Sequence, residues 1–154
     1  MIAAMTAALA ALLMTAEARS EGMTDIAIMR ADGSKTSFSV ELATDPESRE
    51  RGLMFRRKLA RENGMLFVYD EPGRRAFWMK DTYIPLDMLF FKKNGELVYI
   101  HPNAAPRVLD PVDPHRDDIC AVLEITGGEA ARRRIRVGDR LVLKGGASAC
   151  KNAK

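Results

Sequence analysis

The sequence predicts a mainly β fold: a β-sandwich or barrel of about seven or eight strands carrying two short helices. Two observations point there. Strand-like segments follow one another in runs and do not alternate with helices, which argues against a parallel α/β sheet. Phe90 and Phe91 are adjacent in the apolar run Met88–Phe91. Successive strand residues face opposite ways, so that strand must be buried on both faces and the fold needs two packed layers.

The elements follow in order. Thr24–Arg30 and Lys35–Leu42 read as strands joined by a turn at Asp32-Gly33, with Phe38, Val40 and Leu42 in alternation. Asp45-Pro46-Glu47 opens a helix running to Leu53 or Met54: Asp45 caps it, Pro46 suits its first turn and Glu47 favours its positive end. Met65–Tyr69 is a buried strand ended by Glu71-Pro72-Gly73. Strands follow at Ala76–Lys80, Leu86–Lys92 and Glu96–His101, the last two joined by Lys93-Asn94-Gly95. Residues 102–119 contain Pro102, Pro106, Pro111 and Pro114 and read as a long loop or lid. Ala121–Ile125 is another strand, Thr126-Gly127-Gly128-Glu129 reads as a capping box for a helix to Arg134, and Arg140–Lys144 is the last strand.

The whole chain has 154 residues, enough for one domain with a real core. Lys and Arg number 24 against 21 Asp and Glu, a net charge of +3. That surplus is mild, aromatic residues are few and no nucleic-acid module appears, so nucleic acid is not an expected partner. Ile2–Met14 is an uncharged apolar run followed by Ala16-Glu17-Ala18, the layout of a signal peptide cleaved after Ala18, although no Lys or Arg precedes the run. Thirteen such residues are short for a bilayer span. The expectation is therefore an exported, periplasmic or secreted domain over residues 19–154, its core at 24–144 and a flexible tail at 145–154. In an oxidising compartment Cys120 and Cys150 would pair.

The stretch Phe77–Asp87 gathers the single Trp, Lys80, Asp81, Asp87 and Pro85 among apolar residues, a mixture that suits a cleft wall. If Ala76–Thr82 is extended, Trp78, Lys80 and Thr82 face one side while Phe77, Met79 and Asp81 face the other. Glu124 sits in an apolar strand, where an acid is expensive unless paired. Arg51 or Lys80 is the expected partner, and Glu124→Gln should then lower thermal stability. Lys80 pairing with Asp87 or Glu124 would make this a structural ion pair without chemistry.

Three blocks resemble a known family. They are Arg51-Gly52-Leu53-Met54; Gly64-Met65-Leu66-Phe67 with Phe77–Thr82 and Ile84–Asp87; and Val122–Ile125 with Gly128 and Gly138-Asp139. Together they look like domain-of-unknown-function family 192, over about residues 24–144. The resemblance implies a small, often exported, jelly-roll-like β-sandwich, and it carries no activity. It also implies Asn at the position of Asp81, where this chain departs from the pattern.

The candidate ligand-binding residues are thus Arg51, Trp78, Lys80, Asp81, Thr82, Asp87 and Glu124. Trp78 would stack on a ligand, Lys80 and Arg51 would recognise an anion, and the acids would orient those cations. His101, Asp110, Asp113, His115, Asp117 and Asp118 in the long loop match no metal-site spacing, so no metal or cofactor is expected. The expected function is binding of a small or polymeric envelope ligand by a monomer. The rivals are a hydrolase or lyase using a Lys–carboxylate pair, and an accessory protein docking through Arg56, Arg57 and Arg61 to an envelope complex.

Overall fold

A computed structural model describes Gly22–Leu143 and Ala149. The expected leader and cleavage site, Cys150 and the rest of the expected tail lie outside the described residues. Seven strands are β1 (Met23–Met29), β2 (Lys35–Ala43), β3 (Asn63–Gly73), β4 (Leu86–Lys92), β5 (Leu97–Ala104), β6 (Ile119–Thr126) and β7 (Arg140–Leu143). Two helices, α1 (Pro46–Arg51) and α2 (Glu129–Arg132), accompany them among the described residues. The strands form a single mixed sheet in the order β5-β4-β6-β3-β2-β1-β7, curled into a half-barrel. Among the described strands only β2 and β3 pair in parallel, because α1 and the segment after it carry the chain across.

The curl brings the two outer strands together at one end. Leu97 N–H donates to Asp139 O and Leu141 N–H to Gly95 O, both at 2.8 Å. This contact covers part of two sheet edges that would otherwise stand open. Gly95 permits it: its φ is +81°, and a Cβ there would lie 2.7 Å from Leu141 O.

The expected double-sided burial is present, and it has an uneven origin. Leu66, Leu89, Phe91, Leu123 and Ile125 pack inside the curl with Ile28, Phe38 and Val40. Their neighbours Met65, Phe67, Met88, Phe90 and Val122 point the other way into a second cluster. Irregular chain covers that outer face, including Leu53, Leu59, Met79 and Val112. The second layer is thus built of loops.

Those loops depart from the expected elements. Residues 76–80 do not form a strand: a single bridge pairs Phe77 with Val112. Asp81 turns the chain with φ 51°. The 102–119 stretch starts as the end of β5 and then runs against residues 77–82. Met79 N–H reaches Val108 O at 3.0 Å and Arg107 N–H reaches Thr82 O at 3.1 Å. β3 continues past Tyr69 to Gly73, with a shift in its pairing to β6 between Val68 and Gly73. α1 is capped as expected: Asp45 accepts from Ser48 N–H at 2.9 Å, and Gly52 ends the helix at φ 47°. α2 has no capping box, since its N-cap is Gly128 and makes no side-chain bond.

Candidate functional site

The outer faces of β3 and β6, the end of α1 and the 76–82 segment enclose a pocket of about 260 Å³. Alternation puts Phe67 and Tyr69 of β3 and Glu124 of β6 on that face. Arg51, Gly52 and Met54 come from the end of α1 and the turn after it, while Phe77, Trp78, Lys80 and Thr82 come from the irregular segment. Gly64 lets β3 lie close enough, because a Cβ there would be 2.6 Å from Glu124 O.

Five of the seven predicted residues therefore converge on one hollow: Arg51, Trp78, Lys80, Thr82 and Glu124. Trp78 is 49% exposed at its mouth. The Lys80 ammonium lies 5.2 Å from the indole centroid, a cation–π contact on the pocket rim. Thr82 is buried, and its hydroxyl donates to Lys80 O at 3.1 Å, so it holds the turn that presents the lysine.

Glu124 lies at the floor, 4% exposed, flanked in register by Met65 on β3 and Met88 on β4. Its expected salt bridge is absent: among the described residues neither Arg51 nor Lys80 pairs with it. Burial against apolar neighbours pushes its carboxyl up to about 8, so it is mostly protonated at neutral pH. The acid is kept neutral by desolvation, where the sequence suggested it would be kept charged by a cation.

Asp87 and Asp81 do not join the pocket. Asp87 is fully buried on β4 and accepts three backbone N–H groups: Asn103 and Gly128 at Oδ1 (2.8 and 2.9 Å), and Ala130 at Oδ2 (2.8 Å). It replaces the missing capping box of α2 and ties three segments together. Its role is structural, and it makes no pair with Lys80. Asp81 lines a neighbouring cleft with Trp78, Lys80, Arg107 and Leu109. Its backbone O accepts from Phe55 N–H at 2.7 Å. The expected Lys–carboxylate pair is therefore not formed by any of the three acids.

Sequence reasoning missed Arg49 and Tyr69. Arg49 donates to Thr44 O and Val68 O, both at 2.9 Å, and stands 5.0 Å from the Tyr69 ring centroid. Arg75 covers the same ring at 3.9 Å. Burial, partly offset by these two cations, pushes the Tyr69 phenol up. The signal was available, because Met65, Phe67 and Tyr69 alternate onto one face.

A larger hollow of about 840 Å³ is bounded by Arg30, Thr36, Arg133 and Arg136, away from every predicted site residue. Its cations are largely committed. Arg30 donates to Ser34, Thr36 and Arg133 O, while Arg132 and Arg133 hold Glu129. Those arginines hold the Glu129 carboxyl down at about 2. Two of the loop acids are also engaged: Asp113 pairs with Arg74, and Asp118 with Arg116. No cluster of three or more His, Cys, Asp or Glu at metal-binding distance occurs among the described residues. Cys120 is fully buried on β6, while its expected partner Cys150 lies outside the described residues.

With the site in view, comparison with known proteins places the chain. The pattern of DUF192, described as an uncharacterized ACR, matches residues 27–143. The chain belongs to the DUF192 family. No curated protein matches it significantly. Among solved structures it is similar to a Sinorhizobium meliloti 1021 protein described as a candidate transcription regulator. The identity is 40% and the TM-score 0.77, covering 80% of this chain and 95% of that one. It is also similar to a Novosphingobium aromaticivorans DSM 12444 protein of unknown function. There the identity is 36% and the TM-score 0.73, covering 77% of this chain and 84% of that one. DUF192 membership fixes the fold expectation and leaves the chemistry to the pocket.

Proposed function

We propose that this DUF192 protein is an exported, monomeric domain that binds a small acidic ligand, or the acidic end of an envelope polymer, in the Trp78 pocket. One observation carries the reading. Cations and an exposed indole at the mouth stand over a buried carboxyl that has no partner of its own among the described residues. An anionic group suits Arg51 and Lys80. A sugar or aromatic ring suits the Trp78 face. At the floor the protonated Glu124 is able to donate a hydrogen bond to an acceptor on the ligand. A neutral floor matters, because an ionised carboxylate would repel the anion that the rim attracts.

The size of the pocket favours a compact ligand of one or two rings. The leader and the two cysteines support export and a Cys120–Cys150 disulfide. Ala149 packs in the same inner cluster as Cys120, which agrees with that pairing. The regulator description of the Sinorhizobium protein gains no support here. The described helices are six and four residues long, too short for a recognition helix.

A melting screen against glucuronate, galacturonate, aromatic carboxylates and inorganic phosphate tests the proposal. A stabilising ligand should raise the melting temperature of the parent, and Trp78→Ala with Lys80→Ala should erase the shift while the fold persists. No shift with any probe, or a shift that survives the double variant, would rule the pocket out.

Glu124 also supports a second reading, general acid catalysis, since a carboxyl near neutrality in a cleft is able to deliver a proton. Turnover of a bound probe, abolished by Glu124→Gln with binding intact, would establish it over simple binding.

A further inference from the structure

We propose that the loop face around Phe55, Trp78 and Leu109 docks on an anionic lipid bilayer. The large exposed apolar side chains are unevenly spread. Among the described residues, five of the seven are Phe55, Trp78, Tyr83, Val108 and Leu109; the others are Leu42 and Val137. All five belong to three irregular segments, 53–59, 77–85 and 105–110, that hydrogen-bond to one another. Phe55 N–H meets Asp81 O, Met79 N–H meets Val108 O and Arg107 N–H meets Thr82 O. The Phe55 and Tyr83 rings meet edge-on with centroids 6.3 Å apart. Trp78 and Leu109 line one cleft of about 470 Å³. The side chains thus form a connected face.

The backbone holds this face in costly conformations. Phe55 and Arg107 both have φ 65°, in the left-handed region where a side chain is strained. Phe55 is 59% exposed and Leu109 63% exposed. Burying a ring in a core would explain such strain; here the ring faces outward. Clustered exposed apolar groups mark a surface that meets something other than water.

Charge selects the occupant. The three segments carry the cations Arg56, Arg57, Lys58, Lys80 and Arg107 against the acids Asp81 and Asp110. Arg56 is held by Glu41, which leaves four cations to face outward. Trp and Tyr beside Lys and Arg, with Phe and Leu protruding, is the composition that settles at the headgroup boundary of an anionic bilayer. Docking would set Trp78 and Lys80, which also line the Glu124 pocket, at the headgroup layer.

The test uses the full chain with phosphatidylglycerol–phosphatidylcholine vesicles and with phosphatidylcholine alone. Trp78 is the only tryptophan, so its emission reports this face directly. With anionic vesicles the protein should co-sediment, Trp78 emission should move to shorter wavelength, and brominated lipid should quench it. Phe55→Ser with Leu109→Ser, both outside the Glu124 pocket, should lower partitioning by about ten-fold or more. The quenching measurement needs no variant, so it stands even if the double variant folds poorly. Failure to sediment, an unmoved Trp78 spectrum (as expected if residues 2–14 alone insert), or binding indifferent to both serines would overturn the proposal. Each of those results leaves the soluble-ligand reading of the pocket untouched.

Discussion

Asp87 and Glu124 are both buried carboxylic acids on the adjacent central strands β4 and β6, one residue out of register with each other. Their surroundings are opposite. Asp87 faces the mouth of α2 and has three N–H donors. Glu124 faces the outer loops among methionine and aromatic side chains and has none. Equal burial therefore says little about role; what decides it is how many donors meet the oxygens. An acid that gathers donors is a structural joint, whereas one left without them is held neutral by its burial.

The largest predicted effect breaks the Asp87 side of this contrast. Asp87→Ala strands three buried N–H groups and should cost about 3–5 kcal/mol, measured by urea denaturation. Asp87→Asn should fall between, because its remaining oxygen serves Asn103 and Gly128 while its amide opposes Ala130 N–H. A loss below about 1 kcal/mol for Asp87→Ala would mean that water satisfies those donors and the joint is not needed.

The Glu124 side predicts a dependence on pH. Its folded value of about 8 lies above the 4.5 of the free side chain, so the folded state holds the proton more tightly. The associated stability is complete below pH 4.5 and is lost as pH rises through about 8. Glu124→Gln removes this loss. The variant should match the parent near pH 5 and exceed it by about 2–4 kcal/mol near pH 9. Parallel stability curves for parent and variant would show that Glu124 is solvated. The acid limb belongs to Glu129, whose value is lowered to about 2 by Arg132 and Arg133. Its contribution is present above pH 4.5 and fades as pH falls toward 2.

The contrast also explains what the sequence could carry. Periodicity located β1, β2, β4, β6 and β7 within a residue or two, because alternation and turn residues are local. It could not see that the 77–82 segment pairs with 107–112, since that contact joins chain about thirty residues apart through one isolated bridge and two further backbone hydrogen bonds. An acid in an apolar strand announced Glu124 as unusual. Whether a cation or desolvation answers that acid depends on which way Arg51 and Lys80 turn, and no local pattern encodes it. Asp87 looked like a cleft residue for the same reason: its partners are backbone N–H groups, which leave no mark in sequence.

The smallest predicted effect concerns Asp81, the third acid of the group. Its φ of 51° is a left-handed conformation that Asn and Asp tolerate better than other residues with a Cβ. Neither its burial nor its charge then matters most; its short side chain does. Asp81→Asn keeps that property and should change stability by no more than about 0.5 kcal/mol, while Asp81→Val should cost about 1–3 kcal/mol. Denaturation of the two variants side by side separates backbone from charge. If Asn costs as much as Val, the carboxylate itself is at work beside Lys80, and Asp81 joins the acids whose role is set by what meets their oxygens. If Val alone is costly, its contribution lies in the turn that brings Lys80 to the rim of the pocket.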